Sequence, residues 1–190
     1  MIQALASRVA GFVVKNDETA DHEILAYGFG LIISGIVTYT VILTSALLIG
    51  VIQEMLVAIV AYIAMRQAIG GVHANSRIVC FVTYTGSLYL CIGLAFVLNI
   101  SSLAVAVMYA VSLGLLMMYA PADTKAQPMV KHRLARKVSG IVILTLAFCI
   151  SVFVLQNQVH ANILLFVPTL TCVLLHPAVY RMYGCETSIH

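Results

Sequence analysis

Long apolar runs separated by short polar breaks dominate the chain, at residues 24–49, 55–65, 78–98, 103–120, 138–155 and 163–180. Crossing a bilayer takes roughly 20 apolar residues per helix, and five of the six runs approach or exceed that length. The second run is too short unless it borrows residues 50–54 and 67–69. Otherwise it is a broken or re-entrant helix, tolerated where protein or water covers the backbone. In the last run, Pro168 and the pair His176-Pro177 predict a kink or a cut. Asn16-Asp17-Glu18-Thr19 offers capping residues and early acids ahead of the first run. Upstream, Ile2, Leu5, Val9, Phe12 and Val13 recur at helical spacing, and Arg8 interrupts any continuous apolar stretch. That pattern is unlike a cleaved signal peptide. It predicts a helix over residues 1–15 that either lies on the membrane, with Arg8 and Lys15 near headgroups, or packs on its own protein.

Composition removes the soluble alternative. The chain is 62% hydrophobic and 9% charged, with a mean hydropathy of +1.05, whereas about a quarter of an ordinary soluble domain is charged. Such a chain has no water-compatible surface to wrap around a core. The expected fold is all-α and polytopic, with about six transmembrane or re-entrant helices and an N-terminal interfacial amphipathic helix. With no internal repeat or linker in view, residues 1–190 are taken as a single membrane-embedded domain.

The basic residues set the orientation. Arg8 and Lys15 precede the first run, and Arg66 and Arg77 lie between the second and third. Lys125, Lys131, Arg133, Arg136 and Lys137 lie between the fourth and fifth, and Arg181 follows the sixth. With six crossings, all of them fall on one side, which the positive-inside rule assigns to the cytoplasm together with both termini. The net charge of +3 is thereby spent at helix ends, which argues against a nucleic-acid partner.

Of the five cysteines (Cys80, Cys91, Cys149, Cys172 and Cys185), no two show CxxC spacing, and an odd number leaves at least one unpaired. Most suit the bilayer as small hydrophobes. Cys80 differs in its neighbours. It opens the third run, directly after the loop Arg66-Gln67-Ala68-Ile69-Gly70-Gly71-Val72-His73-Ala74-Asn75-Ser76-Arg77. An imidazole near a thiol can take its proton and later protonate a leaving amine. On one straight helix His73 and Cys80 would stand ~10.5 Å apart along the axis, whereas a catalytic hydrogen bond spans roughly 3 Å. The chain must therefore turn between them. Asn75-Ser76 supplies turn and N-cap chemistry, placing Cys80 in the first turns of a helix, and Gly70-Gly71 lets the backbone bend or approach a substrate closely. By spacing alone, a histidine and a cysteine seven apart are more often coincidence than catalysis.

The stretch Arg66-x4-Gly71-x-His73-x6-Cys80, followed far downstream by Ala120-Pro121-Ala122-Asp123-Thr124-Lys125, resembles the accessory gene regulator protein B family. Chain length, six apolar segments and the basic loop match as well. The resemblance implies a membrane cysteine endopeptidase of bacterial quorum sensing, without a cofactor. Such an enzyme cuts the C-terminal part from a short precursor peptide and helps close a thiolactone or lactone ring. It further implies Cys80 as nucleophile, His73 as general base and acid, and Arg66, Gly70 and Gly71 as supporting residues in a catalytic loop over residues 66–80. A homodimer in the cell membrane is implied too. Arg66 would bind an acidic precursor tail, hold the loop or form a structural ion pair. The basic loop at 121–137 departs from the family, whose lysines cluster after the Pro-Ala-x-Thr-Lys stretch; here Ala126-Gln127 follow Lys125. Lys125 is thus a weak substrate-binding candidate, and the loop suits anchoring on anionic lipid. Asp123 orients His73 or, more simply, caps the loop or pairs with a neighbouring base.

Other motifs carry less. His22-Glu23 begins like HExxH, but Ala26 stands at the second histidine position, and no His/Cys/acid set has metal-ligand spacing. Glu54 is expected to be solvated, His160 to lie on the far side, and His176 to pack near the last helix end. Gly28, Gly30, Ser34 and Gly35 suit close helix packing within the chain or across a dimer. The competing function is a small transporter or exporter, or a partner-binding membrane scaffold, without covalent chemistry. Intramembrane ionisable residues, which mark transport paths, are scarce.

Overall fold

In the computed structural model, residues 2–16, 21–71, 77–122 and 132–183 are described. They divide into two compact units, Met1–Val51 and Ile52–His190. The first holds α1 (Ile2–Asn16) and α2 (His22–Ile49). Asp21 caps α2, its carboxylate accepting from the backbone N–H of Glu23 at 2.8 Å and of Ile24 at 3.4 Å. The expected cap cluster at residues 17–20 lies outside the described residues. Small residues join the two helices: Ala6 and Ala10 of α1 are buried, and Gly30 of α2 faces Ala6. Leu5 and Phe12 stay exposed. Both readings of the N-terminal helix thus find support, because α1 packs on its own protein through alanines and leaves an apolar face uncovered. Gly28 and Gly35 face open space within this unit.

The second unit runs α3 (Ile52–Ile69), α4 (Arg77–Val97), α5 (Ser102–Tyr119), α6 (Arg133–Cys149, continued by a π-helical turn Ile150–Val154), α7 (Gln158–Val173) and α8 (Pro177–Met182). Among the described residues, five helices, α2 to α6, are long and apolar enough to cross a membrane. This is an all-α, multi-pass membrane protein. The second run takes the longer of its two alternatives: α3 is one continuous 18-residue helix that takes in Gln53, Glu54 and Gln67–Ile69 at its ends. The last run is cut, as expected, into two helices. Pro168 sits inside α7 without ending it. The chain instead breaks just before Pro177, because a residue preceding proline is pushed out of the helical region. Finally, α6 starts at Arg133, so Arg133, Arg136 and Lys137 belong to a helix rather than to the loop. Arginine and lysine are good helix formers, and their stems lie along apolar surface while the charged heads reach water.

α7 is the hub, packing against α3, α4, α5 and α6. Its 16 residues rise only ~24 Å, short of the roughly 30 Å hydrocarbon core, and neighbouring helices bury half of it. Polar cross-links pin it. Asn162 is fully buried and donates to the carbonyls of Ala95 at 3.1 Å and Leu98 at 2.8 Å, satisfying groups that the end of α4 leaves open. Ser112 of α5 donates to Thr169 at 3.1 Å, and Tyr109 and Thr145 join α5 to α6 at 2.9 Å. Glu54 is not freely solvated: its carboxylate lies 3.8 Å from His160, and both side chains are mostly covered.

Close approach of α6 to its neighbours depends on Gly140. A Cβ built there would stand 2.4 Å from Ile69 Cγ2 and 3.3 Å from Leu116 Cδ1, and both of those residues are fully buried. Gly140→Ala is therefore expected to destabilise the protein by about 1–3 kcal/mol, the usual cost of overpacking. A thermal melt in detergent checks this. An unchanged melt would mean that Ile69 yields freely.

Candidate functional site

Cys80 occupies the first turn of α4 and is half-buried. Residues three and four positions on, Thr83 and Tyr84, share its helical face. Together with Tyr62 and Arg66 of α3, Leu174 after α7 and Tyr183 after α8, these residues line a pocket of about 30 Å³. The walls are tied to one another. Tyr62 and Tyr84 stack obliquely with ring centroids 4.8 Å apart, joining α3 to α4. Thr83 and Tyr183 share a hydrogen bond of 3.0 Å, which brings the end of α8 to α4. Three tyrosines form much of the wall, and every lining residue but Leu174 carries a polar group.

Arg66 has a definite task in the geometry. Its Nε donates to the Tyr62 hydroxyl at 3.1 Å, its guanidinium lies 5.5 Å from the centroid of the same ring, and Nη1 donates to the Gly70 carbonyl at 3.3 Å. These contacts tie Arg66 to Tyr62 of its own helix and to the Gly70 carbonyl. Gly70 and Gly71 take φ angles of +75° and +142°, which side chains rarely tolerate. At Gly71 a Cβ would fall 1.6 Å from Arg66 Nη1. The paired glycine therefore serves both a backbone turn and the space for a guanidinium.

The two distant sequence stretches meet here. Gly70 forms a parallel β-bridge with Ala122; Ala122 N–H donates to the Ile69 carbonyl at 3.0 Å, and Gly71 N–H donates to the Ala122 carbonyl at 3.1 Å. Ala122 is buried and follows a cis Ala120–Pro121 peptide. Cations of α6 close the same end: Arg136 donates to the Gln67 carbonyl at 3.5 Å, and Lys137 to the Met117 carbonyl. The C-terminal ends of α3 and α5 thus receive positive charge where the helix dipole favours it.

His73, Asp123 and Lys125 lie outside the described residues, as does Cys185. The described part therefore assembles Cys80, Arg66, Gly70 and Gly71 at one end of the second unit, without the imidazole. His176, expected to pack near the last helix end, caps α8 by accepting from Ala178 N–H at 3.2 Å and meets the Tyr119 ring edge-on. Sequence reasoning missed Tyr62, Thr83, Tyr84 and Tyr183. The first three were discoverable from spacing, since Tyr62 stands four before Arg66 and Thr83 and Tyr84 stand one turn after Cys80. Tyr183 carried no local signal. Among the described residues no group of three or more His, Cys, Asp or Glu could hold a metal ion.

A multi-pass helical membrane protein with a cysteine at a helix start, beside a glycine loop clamped by an arginine, is the class that fold and site define. The accessory gene regulator B family model matches residues 6–175, and the chain belongs to that family. It is similar to the accessory gene regulator protein B of Staphylococcus carnosus (strain TM300), 31% identical over 115 residues, which cover 58% of this chain and 59% of that protein. The chain thus spans about three-fifths of the length of this curated relative. No solved structure matches it.

Proposed function

We propose that this protein is a cysteine endopeptidase of the cell membrane, formed by one membrane-embedded domain. It removes the C-terminal part of a quorum-sensing precursor peptide and promotes closure of a thiolactone or lactone ring. The carrying observation is the joining of Arg66, Gly70 and Gly71 to Ala122 beside the Cys80 pocket. Residues of two distant stretches build one edge, and the loop they fix leads directly toward His73. With the shorter α7 taken as a sixth crossing, the Lys and Arg distribution supports a cytoplasmic side for this edge and both termini. A homodimer rests on the family resemblance.

The reaction has two stages. His73 takes the Cys80 proton as Sγ attacks the scissile carbonyl. The tail leaves as an amine carrying that proton, and an acyl-thioester remains on Cys80. A cysteine or serine side chain of the precursor then attacks the thioester, closing the ring and returning the thiol. Exchange of thioester for thiolactone is nearly balanced in bond energy, whereas direct conversion of an amide is uphill. The intermediate must be shielded from water, and a small pocket walled by three tyrosines suits that need. His73 serves Cys80 of its own chain, because seven residues with a turn can close the gap. Backbone N–H groups at the start of α4 are the candidates to receive the oxyanion.

The test is incubation of the cognate precursor with the protein in liposomes, followed by mass spectrometry. The expected products are the released tail, the ring-closed peptide lighter than its linear form by one water, and a transient adduct on Cys80. Intact precursor with no adduct on Cys80 would remove the peptidase and favour a transporter or scaffold.

A further inference from the structure

Tyr62 stands one helical turn before Arg66 on α3, and both line the Cys80 pocket. Its side chain makes two different kinds of contact. The ring stacks on Tyr84, which stands one turn after Cys80 on α4, with centroids 4.8 Å apart. The hydroxyl accepts from Arg66 Nε at 3.1 Å, while the guanidinium lies 5.5 Å from the centroid of the same ring. That distance is within reach of a cation–π attraction. Tyr62 is buried, so both contacts form away from bulk water.

Stacking on Tyr84 needs a ring but no hydroxyl, and phenylalanine would supply it. Phenylalanine would also suit an apolar helix better, because a buried hydroxyl has to find a partner. Here the partner is the root of a group that reaches onward. Nη1 of the same guanidinium donates to the Gly70 carbonyl at 3.3 Å. An arginine stem is long and flexible, whereas the guanidinium fork is planar and directional. With Nε held on Tyr62, the plane is set and Nη1 is aimed at Gly70. Gly70 in turn pairs with Ala122, whose carbonyl accepts from Gly71 N–H. One line of contacts thus runs from the helix that carries Cys80, through Tyr84, Tyr62 and Arg66, to the glycine turn.

We propose that Tyr62 is a positioning residue for the reaction at Cys80. Its hydroxyl orients the Arg66 guanidinium on the Gly70 carbonyl, and its ring keeps that assembly in register with α4. Tyr62 acts through Arg66 rather than on the precursor, and the inference rests on the peptidase reading of the site. A tyrosine that served only to glue α3 to α4 would do so equally well without its hydroxyl.

The experiment measures kcat and KM for the cognate precursor with the full chain in liposomes, beside a thermal melt of each variant. Tyr62→Phe keeps the ring and is expected to lower kcat about tenfold, as suits loss of one hydrogen bond to a charged group. Its KM should stay within about twofold, because uniform binding of the precursor is untouched. Arg66→Lys keeps the charge but lacks the fork, and should fall in the same way. Tyr109→Phe removes a hydroxyl that joins α5 to α6 away from the pocket, and should keep the wild-type kcat. In an Arg66→Gln background the guanidinium is gone, so Tyr62→Phe should cost at most about twofold more. Wild-type kcat in Tyr62→Phe would overturn the proposal, as would an equal fall in Tyr109→Phe. A full further loss in the Arg66→Gln background, or a raised KM at unchanged kcat, would place Tyr62 against the precursor and overturn it too. Wild-type cleavage by Cys80→Ala would remove the peptidase reading and this inference together. An inactive Cys80→Ala beside an unaffected Tyr62→Phe would remove the inference alone.

Discussion

Cys80→Ala is expected to abolish precursor cleavage in liposomes while the protein keeps its helical content and thermal melt. The loss should be at least about 10³-fold and can approach the order of 10⁶ that follows removal of a protease nucleophile. The folding side follows from position. Cys80 is only half-buried, and the neighbouring walls are joined through Tyr62–Tyr84 and Thr83–Tyr183 rather than through its sulfur. Cys80→Ser adds a sharper contrast, since it preserves shape and polarity but replaces a thiol with a far weaker nucleophile. Both variants should therefore lose turnover and still bind precursor. His73→Ala should lose cleavage as well, and added imidazole should restore part of it, because only the proton carrier is missing. Wild-type cleavage by Cys80→Ala would end the thiol mechanism. A transporter or scaffold would be indifferent to all three changes.

Much of the fold was legible in the sequence, because the bilayer imposes a length and a polarity that few other environments demand. The runs at 24–49, 78–98 and 103–120 became α2, α4 and α5 with small changes at their ends. The start of α4 was legible for a local reason, as Asn75-Ser76 precede an apolar run. Errors came where two local preferences compete. Pro168 argues against a helix, yet the packing around α7 carries the helix past it. The cations Arg133, Arg136 and Lys137 argue for a loop, yet they propagate a helix, and Arg136 and Lys137 end on carbonyls of α3 and α5. The bridge between Gly70 and Ala122 had no signature at all. It is a backbone pairing between short irregular segments far apart in the chain, and neither periodicity nor propensity reports on such a contact. Only the resemblance set the two stretches side by side, and it did so without a geometric reason. The backbone pairing supplies one.

That pairing makes Gly71 a sensitive position among the described residues of the loop. Gly71→Ala is expected to reduce cleavage by about 10- to 100-fold, with a loss of stability of about 1–3 kcal/mol, the usual cost of backbone forced into a sparsely populated region. Two separate causes act in the same direction. At φ +142° an L-residue is strained whatever space surrounds it, and the added methyl would meet the Arg66 guanidinium at 1.6 Å. Either the backbone leaves its conformation, breaking Gly71 N–H from the Ala122 carbonyl, or Arg66 leaves Tyr62 and the Gly70 carbonyl. Both outcomes release the segment that leads to His73, two residues on. The causes separate in a double variant. Arg66→Ala with Gly71→Ala removes the collision but keeps the strain, so the pair should cost less than the sum of the single changes, with the shortfall measuring the collision. Melts and cleavage rates of the four proteins close the cycle. If the effects add fully, the guanidinium does not constrain Gly71, and Arg66 must act elsewhere, on the precursor itself.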